Sequence, residues 1–168
     1  KNSQLANFLK TVGEAAFGFM LPILAGYIAS SIADRPGLAV GFVGGALASA
    51  GGSGFLGALI AGFAAGYLVL LLKWLCDKLP ASLEGLKPVL LYPLFGILGI
   101  GAVITFVVNP PVSALNAAIS NGLINMGEAS GILLGVVLAA MMAIDMGGPF
   151  NKAAYVFGTA ALASGNYE

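Results

Sequence analysis

Ser53 to Leu72 reads SGFLGALIAGFAAGYLVLLL, a run without a single charged side chain. A helix rises 1.5 Å per residue, so about 20 such residues cover the ~30 Å hydrocarbon core of a bilayer. The run is long enough to cross, and nothing in its composition favours water. Gly54, Ala58, Gly62 and Gly66 recur along it, with Gly57, Ala61 and Ala65 in a second row. Small residues at that spacing let helix backbones approach closely, which is how helices pack where lipid supplies no hydrophobic drive. The stretch sets the fold class: an all-α integral membrane protein, built as a polytopic helical bundle.

Working outward, Gly13 to Ala33 holds one charge, Glu14, and Pro88 to Val108 holds none, so both read as further spans. Ala129 to Ile144 is a shorter charge-free span, and Ala153 to Ser164 is shorter still. Pro22 lies inside the first span, where the missing backbone donor predicts a kink. Loops rich in Lys and Arg stay in the cytoplasm. Lys1 and Lys10 in the N-terminal arm, and Lys73, Lys78 and Lys87 after the second span, place both segments inside. An even number of crossings must then separate them, so the glycine-punctuated stretch Leu38 to Gly52 is expected to be re-entrant or interfacial. Arg35 falls outside in this scheme, against the charge rule. Asn109, Pro110 and Pro111 are expected to stop the third span, because proline lacks the donor and restricts its predecessor. Residues 110–127 then form a separate amphipathic helix, with Val112, Leu115, Ile119, Leu123 and Met126 on one face and Ser113, Asn116 and Ser120 on another.

Of the 168 residues, 59% are apolar and 8% are charged, against roughly 25% charged in soluble domains. Seven basic residues balance seven acidic ones, which argues against a nucleic-acid partner. The chain has no histidine, which excludes a His base, a His metal ligand and any His-based triad within it. The one cysteine, Cys76, can form neither an internal disulfide nor a multi-thiolate site. No cofactor, metal or catalytic residue is expected from these residues. The start at Lys1 lacks the pattern of a signal peptide, and the chain is expected to be an excerpt of something longer.

One stretch combines features that membrane helices avoid. In DMGGPFNKAAY, Asp145 to Tyr155, Gly147 and Gly148 break the helical run and Pro149 is suited to open a new helix. The first helical turn offers free backbone N–H groups, Asn151 adds a donor and an acceptor, and Lys152 adds a positive charge. A polyhydroxylated neutral substrate needs such mixed donors and acceptors, and a phosphorylated product favours the cation. The same residues are also compatible with a short cytoplasmic loop that obeys the charge rule. Composition by itself separates neither reading from the other.

The stretches FMLPILAGYIASSIADRPGLAVGFVGG, GSGFLGALIAGFAAGYLVLLLK, NPPVSALNAAISNGL and IDMGGPFNKAAYVFGTAAL together resemble the membrane component, enzyme IIC, of the bacterial fructose-specific phosphoenolpyruvate-dependent sugar phosphotransferase system. The likeness runs from about Glu14 to the last residue. It implies a multi-pass protein of the bacterial inner membrane, typically a homodimer. Such a protein binds fructose or a similar sugar and hands it to phosphorylated enzyme IIB, which carries the phosphoryl group that this chain does not. It implies sugar contacts for Gly147, Gly148, Pro149, Asn151 and Lys152. The family's later ITEG-like segment, with its acidic sugar contact, is not among these residues. A permease for mannitol or another hexose, and a non-catalytic membrane scaffold or pore, are the competing readings.

Overall fold

A computed structural model describes residues 3–80, 84–129, 131–144, 150–151, 154–155 and 157–158. The elements are α1 (Gln4–Ala33), α2 (Arg35–Ala50), α3 (Gly54–Cys76), α4 (Tyr92–Ala102), α5 (Asn109–Ala129) and α6 (Gly131–Ile144). Wide π turns occupy Lys87–Leu91 before α4 and Val103–Val108 after it. No strand occurs among the described residues. Three of the helical stretches, Gln4–Ala33, Gly54–Cys76 and Lys87–Asn125, are long and apolar enough to cross a membrane. The chain divides into two compact units, Lys1–Pro110 and Pro111–Glu168.

Close approach of backbones organises the first unit. A Cβ added to Gly41 would stand 2.6 Å from the Ala25 carbonyl oxygen, and one added to Gly45 2.6 Å from that of Leu21. Gly37 meets Ala29 in the same way. The contact order 37 to 29, 41 to 25 and 45 to 21 makes α2 antiparallel to α1. α3 then returns parallel to α1, with Gly62 against Ile28 and Gly66 against Ile32. α4 descends antiparallel to α3, with Gly99 on Leu68 and Gly96 beside Val40 of α2. α2 touches α1, α3 and α4, and its Gly37, Val40, Gly41, Gly44, Gly45 and Ala48 are buried.

This packing changes the topology expected from charge alone. α2 runs as one helix along the unit without turning back. Its start lies beside Ala29 and Ala33 and its end lies past Leu21, so its two termini stand at opposite ends of the unit. The N-terminal arm and Lys73 are therefore at opposite ends as well. The parity reading weighted two arm lysines heavily, yet Lys10 sits 3.6 Å from Glu14 one turn on. In the alternating arrangement Arg35 joins Lys73, Lys78 and Lys87 at one end, and its exception to the charge rule disappears. At 16 residues α2 is about 24 Å long, short of the ~30 Å core, but its neighbours cover it.

The prolines also behave differently from expectation. Asn109, Pro110 and Pro111 do not end a helix, because the helix is continuous from Lys87 to Asn125. A proline ring strikes the carbonyl four residues back and removes one bond of the ladder. Here the Asn109 N–H reaches five residues back, to the Ile104 carbonyl, so the turn before Pro110 is already widened. The turn before Pro93 is built alike, with the Tyr92 N–H on the Lys87 carbonyl. α1 likewise stays helical on both sides of Pro22. In α5 Val112, Ser113, Asn116 and Ile119 are half-buried, Leu123 is buried and Leu115 is exposed.

Two outcomes test this arrangement. Single cysteines at Arg35 and Ala50, in a Cys76→Ala background, are expected to label from opposite faces of sealed vesicles; labelling from the same face would restore the re-entrant reading. Gly41→Ala is expected to cost roughly 1–3 kcal/mol by overpacking, read as a lowered melting temperature in detergent. Gly18→Ala, with nothing within 4 Å of its added Cβ, is expected to change little.

Candidate functional site

Of the residues expected to contact sugar, Asn151 is described; Gly147, Gly148, Pro149 and Lys152 lie outside the described residues, as does Asp145. The weaker span at 153–164 falls largely outside them too. Asn151 is half-buried, and its side-chain amide donates to the Met142 carbonyl at 3.0 Å. Met142 lies in the last turn of α6, whose final carbonyls lack partners within the helix. The Asn151 amide thus ties this residue to the last turn of α6.

Two polar clusters in the first unit escaped the sequence reading. At one end, Ser53 is fully buried and its hydroxyl donates to the Asn109 side-chain oxygen at 2.6 Å. The Asn109 amide donates in turn to the Leu47 carbonyl at 3.2 Å. The Ser53 oxygen also lies 3.0 Å from the Ala48 carbonyl, so one hydroxyl proton is shared between two acceptors. The node closes the end of α2, the start of α3 and the turn after the second π segment. A methyl at Gly51 would fall on the Asn109 amide, and one at Gly57 on the Ser53 hydroxyl. The connection itself uses positive φ at Gly52 (77°) and Gly54 (56°), which glycine adopts freely. Asn109 carries a visible signal, an asparagine at the end of an apolar run, but beside Pro110 and Pro111 that signal reads as a helix stop.

At the other end the chain reverses from α1 to α2 through Asp34 alone. Asp34 has φ 60° and ψ −155°, a region open essentially to glycine, which costs another residue of order 1–3 kcal/mol. Lys73 holds the corner, with its ammonium donating to the Ala33 carbonyl at 2.8 Å and lying 3.3 Å from the Asp34 carboxylate. The carboxylate side chain is 86% exposed, so water screens that ion pair and it contributes little. The bond to a terminal helix carbonyl is the firmer anchor. Between these ends an apolar recess of about 460 Å³ is lined by Val43, Leu47, Ile97, Leu98, Thr105 and Phe106 among others. With one hydroxyl in its wall it suits hydrocarbon rather than a sugar.

The family described as phosphotransferase system, EIIC, matches residues 1–168. The chain belongs to the EIIC family. Against the fructose permease IIC component of Bacillus amyloliquefaciens it is 54% identical over 152 residues, 90% of this chain and 50% of that protein. Against the PTS system fructose-specific EIIABC component of Bacillus subtilis it is 54% identical over 155 residues, 92% of this chain and 24% of that protein. The PTS system fructose-specific EIIB'BC component of Escherichia coli is 48% identical over 162 residues, 96% of this chain and 29% of that protein. The chain thus spans half or less of the length of these EIIC-family relatives. No solved structure matches it significantly.

Asn109→Ala is expected to remove the bonds to Ser53 and Leu47, while the Ser53 hydroxyl keeps the Ala48 carbonyl and the Leu47 carbonyl keeps the Gly51 N–H, at a cost of about 0.5–1.5 kcal/mol per bond lost. Hydrogen exchange at the end of α2 and the start of α3 should rise, while exchange near Asp34 stays as it was. Uniform exchange in wild type and variant would show that the node holds nothing.

Proposed function

We propose that this EIIC chain is the sugar-handling membrane portion of a fructose-type permease, which moves fructose inward while a partner phosphorylates it. The observation that carries this reading is the 54% identity, across nine-tenths of the chain, to a protein named fructose permease IIC component. Relatives named as fused EIIB'BC components support enzyme IIB as the phosphoryl donor. Those names favour fructose over mannitol or another hexose. The bacterial inner membrane as location and a homodimer as assembly belong to the same reading.

The chemistry assigned to these residues is positioning. Phosphoryl transfer needs an attacking hydroxyl held in line with the donor and its developing charge neutralised. The break at Gly147, Gly148, Pro149, Asn151 and Lys152 is the proposed sugar contact. Asn151, whose amide donates to the Met142 carbonyl, is the polar side chain of this stretch that is proposed to meet a sugar hydroxyl. Lys152 is the cation suited to the phosphorylated product. With Arg35, Lys73, Lys78 and Lys87 gathered at one end of the first unit, that end is the cytoplasmic one by the charge rule. The N-terminal part of α1 then lies outside, and α4 leads outward from Lys87.

In the full-length gene product, Asn151→Ala is expected to weaken fructose binding about 3- to 10-fold, the range of a net hydrogen bond. Lys152→Ala is expected to slow fructose phosphorylation more than it weakens binding. Both are measured by uptake coupled to phosphorylation at matched expression. Unchanged uptake and affinity in both variants would remove the break from the sugar site.

A further inference from the structure

The alternating packing gathers Arg35, Lys73, Lys78 and Lys87 with Asp34, Asp77 and Glu84 at one end of the first unit, and the cations there are not equivalent. Lys73 is taken up by the Ala33 carbonyl and the Asp34 carboxylate. Lys78 sits over the Trp74 ring, 4.2 Å from its centre. Arg35 is exposed and has no hydrogen-bond or ion-pair partner among the described residues. It stands one residue past the strained Asp34, the single residue between α1 and α2. The Asp34 N–H binds the Ser30 carbonyl at 2.9 Å, the Gly37 N–H binds the Asp34 carbonyl at 3.0 Å, and Pro36 stiffens the start of α2. The corner is therefore fixed in the backbone while its cation is free.

The occupant of position 34 adds to this. Glycine would adopt that backbone without strain, yet an aspartate stands there. Its carboxylate lies 3.3 Å from Lys73, while Arg35 and Lys87 have no ion-pair partner among the described residues, Arg35 being the more exposed of the two. A guanidinium presents five donors in a planar fork that matches phosphate and carboxylate groups, and here the backbone that carries it is already ordered before binding.

From this geometry we infer that the α1–α2 corner, through Arg35, is a docking contact for the negatively charged, phosphate-bearing face of the cytoplasmic partner. The inference rests on the reading above, in which enzyme IIB delivers the phosphoryl group. Two proteins that must meet and part on every turnover gain most from exposed charge at encounter, where it steers association and sets salt dependence. Arg35 is a docking residue and takes no part in the transfer.

The test uses the full-length permease in liposomes of neutral phosphatidylcholine, with phosphorylated enzyme IIB added separately and fructose phosphorylation followed as the partner is titrated. Arg35→Gln is expected to raise the half-saturating partner concentration about tenfold and to flatten its salt dependence, with the rate at saturating partner and the fructose affinity kept. Arg35→Lys, which keeps the charge but not the fork, should fall between. Lys10→Gln, at the opposite end of the unit, should match wild type. An unchanged half-saturation in Arg35→Gln overturns the inference. So does a loss of fructose affinity or of saturating rate, which would put Arg35 in the sugar path or the fold. A defect seen only when anionic lipid replaces the neutral lipid assigns the arginine to headgroups and overturns it too. Wild-type protein that phosphorylates no fructose with any partner concentration sinks the broader functional reading instead.

Discussion

The first unit depends on how near two backbones can come. α1 and α2 meet where Gly37, Gly41 and Gly45 leave room for a hydrogen and nothing larger. In lipid no hydrophobic drive rewards the burial of a leucine against another helix, because the tails offer the same contacts, so dispersion between closely packed backbones must do more of the binding. Once α1 and α2 lie this close, the turn between them shortens to a single residue and Asp34 is forced into its unusual conformation. The Lys73 grip, the alternation of α3 and α4 and the collection of cations at one end all follow from that contact.

Against this background the charge distribution has a simple meaning. The lipid-facing lengths of α1, α3 and α4 carry exposed Phe19, Tyr27, Phe63, Tyr67 and Phe95, which is ordinary for a surface solvated by acyl chains. Polar groups at depth are confined to places where a partner exists. Ser53 and Asn109 satisfy each other and the final carbonyls of α2. Asn151 satisfies a carbonyl of α6. No buried side-chain nitrogen or oxygen is left without a partner among the described residues, as a low-dielectric surrounding requires.

How much of this could be read in advance differs by element. The all-helical membrane class was plain in Ser53 to Leu72, and the rows of Gly57, Ala61, Gly62, Ala65 and Gly66 do face other helices. Family membership was legible in IADRPG and MGGPFNKAAY, where a rare combination of residues carries more information than hydropathy does. The direction of α2 was not legible, because a parity count gives two arm lysines the same weight as a packing contact that no single sequence displays. The helix through Pro110 and Pro111 was missed for a local reason: proline signals a stop in a regular ladder, and nothing in VITFVV announces that the ladder there is already widened. Ser53 and Asn109 were invisible as a pair because 56 positions separate them. The sugar-contact residues were named from resemblance, and of these only Asn151 has a described place.

The widened turn at Val103–Val108 acts as a phase adjuster. Each residue of an α-helix turns the chain by about 100° about its axis, so a π segment, which carries more residues per turn, rotates everything after it relative to everything before. Ile100 and Ile104, both fully buried, hold the upstream face against the unit, while Asn109 faces Ser53 and Leu47 on the downstream side. Strip one residue out of that segment and the apolar register would survive upstream, but Asn109 would swing toward lipid. The surplus residue is thus what allows a single unbroken helix to serve two different seams, one apolar and one polar.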